Sequence, residues 1–114
     1  MKTSGELKIN LPDDSVDVVL LFDTLHYYYF PEKKSRSKLL AEVYRVLKPE
    51  GLLSFYPGDP EASGNSSEVG IIVGEIEEAY FYLQRQYTGM VVHENEIQRG
   101  CIRIFEKRSN KRSP

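Results

Sequence analysis

The sequence predicts an α/β fold, in which strands of a parallel sheet alternate with helices. Two short segments, Val16–Phe22 and Leu52–Tyr56, are almost continuously apolar, which is typical of strands that are buried in a parallel sheet. Apolar residues between them recur at helical spacing. A strand, a helix and a second strand in this order form a right-handed crossover that places the two strands in parallel.

The first strand is the clearest element. Val16–Phe22 is interrupted only by Asp17 and follows the turn-forming segment Leu11–Ser15. Because this strand is apolar on both faces, we expect it to be central in the sheet, with helices on both sides.

The helix that follows is amphipathic. Its charged face carries Lys38, Glu42, Arg45 and Lys48, and its apolar face carries Leu39, Leu40, Val43, Val46 and Leu47. The turn Lys48-Pro49-Glu50-Gly51 ends the helix, because a residue before proline is disfavoured in the helical region. We expect Gly51 to take the positive φ of this turn.

The second half of the chain continues with a loop, a helix and strands. Pro57–Ser67 is rich in turn formers and long enough to act as a lid, and Glu68–Ala79 has helical spacing. The alternation in Phe81–Tyr87 favours a strand, although a continued helix fits the same pattern. Met90–Val92 and Cys101–Phe105 are the last strand candidates, and we expect antiparallel pairing there.

Composition places limits on the class of protein. The 114 residues fit one domain, predicted over residues 1–107, followed by a disordered basic tail over residues 108–114. A net charge of −2 gives no reason to expect a nucleic-acid partner. The sequence shows no signal peptide and no membrane-length apolar run, and its single cysteine, Cys101, fits a reducing compartment and a buried strand position. We therefore expect a cytoplasmic protein without a membrane partner.

Three segments together resemble a known family. Leu11–Leu20, Leu25-His26-Tyr27 and Leu39–Gly51 are similar to the middle of a class I S-adenosylmethionine-dependent methyltransferase domain. The resemblance implies a partial Rossmann-like sheet whose strands correspond to the fourth to seventh, with the last strand antiparallel between the two before it. The family usually has a glycine at the position of Tyr80.

The resemblance also implies a cofactor, S-adenosylmethionine, and a set of residues near it. Glu6 would lie near the adenine, and Leu21, Phe22 and Asp23 would line the methionine end, beyond the carboxyl end of a parallel strand. A solvated terminal Glu6 and a helix-capping Asp23 fit the sequence as well. The 114 residues contain no Gly-x-Gly-x-Gly loop after an early strand, and the loop Gly58–Gly64 does not replace it.

Two residues are candidates for binding the methyl acceptor. His26 titrates near neutrality and Tyr27 begins the aromatic cluster Tyr27–Phe30, which would suit an aromatic or cationic acceptor. The alternative interpretations are a packed or hydrogen-bonded histidine and a structural aromatic rim on the following helix. No catalytic residue is assigned, because methyl transfer depends largely on alignment. His93 lacks a second suitably spaced ligand, so no metal site is expected.

Two alternative functions fit the sequence. In the first, the chain transfers a methyl group to a small-molecule acceptor, either truncated as it stands or with a complementing N-terminal half that supplies the glycine-rich loop. In the second, it is a non-catalytic methyltransferase-like remnant that acts as an oligomerisation or interaction module, including as a homo-oligomer. The second is physically reasonable because an open strand edge attracts another strand.

Overall fold

The computed structural model describes residues 8–22, 24–25, 30–58, 66–93 and 96–108. Its elements, in chain order, are β1 (Val16–Phe22), α1 (Lys33–Val46), β2 (Leu47–Tyr56), α2 (Ser66–Glu78), β3 (Phe81–His93) and β4 (Glu96–Lys107). The predicted α/β fold is confirmed. Neither of the two helices in the described ranges is long and apolar enough to span a membrane.

The sheet has the order β1-β2-β4-β3. β1 and β2 are parallel, as the crossover through α1 requires, and β4 is antiparallel to both of its neighbours. The last strand therefore lies between the two before it, as the resemblance implied. Phe81–Tyr87 is a strand and not a continued helix, and it joins Met90–Val92 in the single strand β3, because the pairing with β4 continues through Thr88 and Gly89.

The predicted turn Lys48–Gly51 lies within β2, which begins directly after α1, and its backbone differs from the prediction. The positive φ falls on Glu50, at 67°, and not on Gly51. Gly51 is needed for space instead, because a Cβ atom there would lie 2.8 Å from the carbonyl oxygen of Lys48 and 2.9 Å from a methyl group of Leu47. The turn forms a bulge in β2, since the pairing partner moves from Leu47 to Leu52 while β1 advances by only two residues.

Both helices pack on one face of the sheet, which we call the inner face. The core there combines apolar side chains of both helices and all four strands: Leu21, Leu39, Leu40, Val43, Leu47, Leu53, Phe55, Ile72, Ile76, Phe81 and Phe105. The helices run antiparallel to the strands they follow, so the start of α1 returns the chain from the carboxyl end of β1.

The opposite, outer face carries exposed apolar side chains. On β1 the exposed fractions are 50% for Val18, 63% for Leu20 and 38% for Phe22. The expectation that helices cover both sides of β1 is thus met on one face only, within the part of the chain that the structure describes. β1 is also the last strand on its side of the sheet in those residues, with β2 as its neighbour.

Candidate functional site

The carboxyl ends of β1 and β2 lie side by side. Leu21 pairs with Phe55 and Phe22 pairs with Tyr56 in parallel register, so both strands end at the same edge. Ligands of open α/β sheets bind in the crevice beyond such carboxyl ends. This edge is therefore the candidate site.

An aromatic pair forms the surface of the outer face at this edge. The rings of Phe22 and Tyr56 meet edge to face, with centroids 6.0 Å apart and an interplanar angle of 65°. Tyr56 is buried, while Phe22 is partly open to solvent. The exposed part of the Phe22 ring, supported by the buried Tyr56 ring, offers an apolar surface to a ligand that approaches from the outer face.

Leu21 and Phe22 have opposite orientations, because successive strand side chains alternate between faces. The Leu21 side chain is buried in the inner-face core. Only the backbone of Leu21 is therefore placed to contact a ligand at the strand end, whereas Phe22 can also offer its ring. The assignment of both residues to a cofactor site stays a prediction.

The chain after β1 turns in a defined way. The Thr24 hydroxyl donates a hydrogen bond of 3.0 Å to the carbonyl oxygen of Phe22, and Leu25 is fully buried. These contacts fix the direction in which the chain leaves the strand. The other predicted site residues, Glu6, Asp23, His26 and Tyr27, lie outside the described residues, as do residues 109–114 of the predicted tail and residues 59–65 of the predicted lid.

The chain after β2 contains a glycine that its backbone conformation requires. Gly58 has a φ of 79°, in the left-handed region that side chains disfavour. Pro57 and Gly58 are both buried. The sequence pattern had marked Gly58 only as part of a loop, and its required conformation at the carboxyl edge of β2 adds a second backbone segment to the candidate site.

A buried ion pair joins α1 to α2. The Arg36 Nε and Nη2 atoms donate to the two carboxylate oxygens of Glu75 at 2.7 and 2.9 Å. Arg36 Nη1 also donates to the carbonyl oxygens of Phe30 and Pro31 at 2.9 and 3.0 Å. Arg36 thereby ties the segment before α1 to α2.

This pair was not predicted, although the sequence contains one signal for it. Arg36 stands four residues before Leu40 and seven before Val43, in line with the apolar stripe of α1. A charged residue on a buried stripe needs a partner of opposite charge. The partner itself lies on another helix, 39 residues away, and has no local signal.

A second charged cluster holds the segment before β1 against α1. Arg45 donates to Glu42, to Asp13 and to the carbonyl oxygens of Ile9 and Leu11. The hydrogen bond from Arg45 is the main cause that lowers the pKa of the Glu42 carboxyl, with a further contribution from the backbone N–H of Ile9. The cluster fixes the approach to β1.

Comparison with protein families gives one match and no curated relative. The family described as "Methyltransferase domain" matches residues 2–55, which include β1, α1 and nearly all of β2. A search of curated protein sequences finds no match.

Solved structures with this fold are methyltransferases and related enzymes. A SAM-dependent methyltransferase from Methanosarcina mazei is 16% identical with a TM-score of 0.67 over 89% of this chain and 63% of that one. The N-methyltransferase NodS from Bradyrhizobium japonicum, in complex with S-adenosyl-L-homocysteine, is 14% identical with a TM-score of 0.57, covering 82% of this chain and 47% of NodS. The [4+2]-cyclase SpnF is 14% identical with a TM-score of 0.60, over 89% and 53% of the two chains.

The TM-scores show a shared fold, and at identities of 14–16% they show the fold alone. The chain spans about 63% of the Methanosarcina protein and about half of the other two. The inclusion of a cyclase illustrates that one fold carries more than one chemistry.

Proposed function

We propose that this chain corresponds to the C-terminal half of a class I methyltransferase domain and forms part of an enzyme that transfers a methyl group from S-adenosylmethionine to a small-molecule acceptor, which the family match and the shared fold support. The observation that carries the proposal is the shared carboxyl edge of β1 and β2, with the exposed ring of Phe22 on one side and Gly58 on the other. The bound S-adenosyl-L-homocysteine in NodS supports the choice of cofactor.

The cofactor would meet mainly backbone and apolar surface in the described residues. Its methionine end would lie near the end of β1, where Thr24 already occupies the carbonyl oxygen of Phe22. Alignment of donor and acceptor can supply most of the rate enhancement of a group transfer. We therefore assign no acid or base, and we keep His26 and Tyr27 as the predicted acceptor-binding residues.

A complementing half with a glycine-rich loop, on the same polypeptide or on another, completes the proposal. It would cover the outer face, where Val18, Leu20 and Phe22 are exposed. Full burial of one large apolar side chain contributes about 1.5–3 kcal/mol of free energy. Multiplying this value by the exposed fractions of the three side chains gives about 2–5 kcal/mol for covering all of them. It would also pair with the open edge of β1, where the backbone groups are available to another strand.

Titration with S-adenosylhomocysteine, followed through the backbone amide signals, tests the cofactor assignment. We expect saturable shifts at Phe22, Thr24 and Gly58, and no comparable shifts at the other end of the sheet. Adenosine is the control ligand, since it lacks the homocysteine group expected next to β1. Absence of shifts at millimolar ligand, or shifts confined to other residues, would contradict cofactor binding by this chain alone.

The alternative function is an interaction module that self-associates. The same exposed face and open edge favour it, because a second copy could cover the apolar side chains and pair along β1. Sedimentation of the wild type and of Leu20→Lys measures this. Self-association through the face predicts that Leu20→Lys sediments as a smaller species than the wild type.

The matched control is Met90→Lys. Met90 is 64% exposed, almost the same as Leu20, but lies on β3 away from β1. If Met90→Lys dissociates the assembly equally, general charge repulsion and not the outer face of β1 explains the result. An oligomer without S-adenosylhomocysteine binding would favour the interaction module over the enzyme.

A further inference from the structure

A surface cavity of about 220 Å³ lies between α1 and the C-terminal end of α2. Ala41 and Tyr44 line it from α1, and Glu78, Ala79 and Tyr80 line it from the opposite side. Tyr80 directly precedes β3, and Tyr44 contacts Phe81 at the start of that strand. Phe81 pairs with Lys107 at the end of β4, and the neighbouring Glu106 pairs with Leu52 in the middle of β2. The wall formed by Tyr44 and Tyr80 therefore lies away from the carboxyl edge, which Tyr56 ends.

Two tyrosine rings form one wall of the cavity. The rings of Tyr44 and Tyr80 meet at 64° with centroids 6.4 Å apart. Tyr44 is further held by an edge-to-face contact with Phe81 and by a 2.6 Å hydrogen bond from its hydroxyl to the carbonyl oxygen of Arg108. The wall is therefore fixed in place before any ligand arrives.

The ring of Tyr44 already contacts a cation of the protein itself, the Lys107 ammonium. The Lys107 ammonium lies 4.4 Å from the centroid of the Tyr44 ring. The faces of aromatic rings attract cations because their π-electrons carry partial negative charge. The Lys107 ammonium therefore occupies one face of the Tyr44 ring, and a ligand cation would contact the remaining surface of the two rings.

Acidic groups at the cavity favour a ligand with positive charge. The lining includes the carboxylates of Glu75 and Glu78 and no lysine or arginine among the described residues. Arg36 neutralises Glu75 through its bidentate contact. The Glu78 carboxylate is 3.6 Å from the Lys33 ammonium, and both side chains are largely exposed, so that solvent weakens this pair. A positively charged ligand can replace the Lys33 ammonium as the partner of the Glu78 carboxylate.

Backbone strain occurs at the same wall. Tyr80 has a φ of 73°, in the left-handed region, which costs a residue with a side chain about 1–2 kcal/mol. Two backbone hydrogen bonds hold this conformation. The Tyr80 N–H donates to the carbonyl oxygen of Glu77, and the Arg108 N–H donates to the carbonyl oxygen of Tyr80. Strained residues are concentrated at binding sites. A tyrosine in a conformation that suits glycine points to a role for its ring.

We propose that this cavity binds a small organic cation, with the charged group against the rings of Tyr44 and Tyr80 and facing the carboxylate of Glu78. The volume is below the range of about 300–1,000 Å³ that is usual for drug-sized ligands. An ammonium group with a short substituent therefore fits better than a larger ligand.

Choline and its uncharged isostere 3,3-dimethylbutanol are the probes. They have the same shape and differ in the positive charge. We expect choline to shift the backbone amide signals of Tyr44, Glu78 and Tyr80 in a saturable way, with an affinity about tenfold higher than that of the isostere. Equal affinity for the two probes, or no shift with choline, would overturn the proposal.

Two variants and a control locate the binding energy. Tyr80→Gly removes the ring and suits the left-handed backbone, so the variant should fold while binding choline about tenfold more weakly. Glu78→Gln should weaken binding about threefold. Glu77→Gln is the matched control, because Glu77 is an exposed carboxylate on the same turn that does not line the cavity.

The control also separates this proposal from a general charge effect. If Glu77→Gln weakens choline binding as much as Glu78→Gln does, or if Tyr80→Gly leaves binding unchanged, the proposed site is wrong. These measurements involve no methyl transfer and no S-adenosylhomocysteine. Their outcome is therefore independent of the proposed enzyme function.

Discussion

The left-handed backbone at Tyr80 predicts an unusual order of stability for two substitutions. Tyr80→Ala and Tyr80→Gly both remove the ring contacts with Tyr44, but only glycine relieves the strain of a φ of 73°. Relief of about 1–2 kcal/mol exceeds the cost of about 0.5–1 kcal/mol that glycine ordinarily carries relative to alanine. We expect Tyr80→Gly to be more stable than Tyr80→Ala by about 1 kcal/mol.

Urea unfolding of both variants measures this difference. Tyr82 is the matched control site, because it is exposed to the same extent (40% against 41% for Tyr80) and lies in β3, where the backbone is extended. There the order should reverse, with alanine more stable than glycine by about 0.5–1 kcal/mol. If Tyr80→Gly is less stable than Tyr80→Ala, the strain argument is refuted at this position.

Three further predictions concern contacts that hold the fold. Arg36→Met leaves the Glu75 carboxylate buried without its partner and should lower the free energy of unfolding by about 3–5 kcal/mol, whereas the double variant Arg36→Met/Glu75→Leu should recover most of it; a small loss in the single variant would contradict this. The Glu42 pKa is lowered in the folded protein, so its stabilising contribution is present above the ordinary value of 4.5 and is lost as the pH falls through the lowered folded value. Urea unfolding from neutral pH down to about pH 3 should therefore show a shallower loss of stability for Glu42→Gln than for the wild type, and parallel curves would count against the contact with Arg45. Gly51→Ala should cost about 1–3 kcal/mol in the same assay, because the added methyl group has no room, and wild-type stability would show that the turn adjusts.

The strands and helices followed from short-range patterns in the sequence. The apolar run of β1 and the helical spacing of α1 were sufficient to predict the crossover, because burial imposes these periods directly. The position of β4 between β2 and β3 could not be predicted from such patterns. It depends on pairing between distant segments, and the resemblance to a family supplied it where periodicity could not.

The features that could not be predicted depend on tertiary contacts. The partner of Arg36 is Glu75, on another helix, and no spacing rule connects them. The left-handed conformations of Glu50 and Tyr80 are held by the surrounding backbone, so residue type alone would not place them there. In the candidate site, strand alternation puts the side chains of Leu21 and Phe22 on opposite faces, but the sequence did not show which of these two faces the helices cover.

The two faces of β1 connect the fold to the choice between the proposed functions. A strand that is apolar on both faces is stable only where both are covered, and α1 and α2 cover the face that contains Leu21. If a glycine-rich half covers the outer face, the ring of Phe22 stays at the rim of a crevice and is available to a cofactor. If a second copy pairs along β1 and covers the same face, it competes for the same strand edge. The two functions therefore predict opposite results: the enzyme predicts S-adenosylhomocysteine binding without self-association through the outer face of β1, and the interaction module predicts self-association through that face without S-adenosylhomocysteine binding.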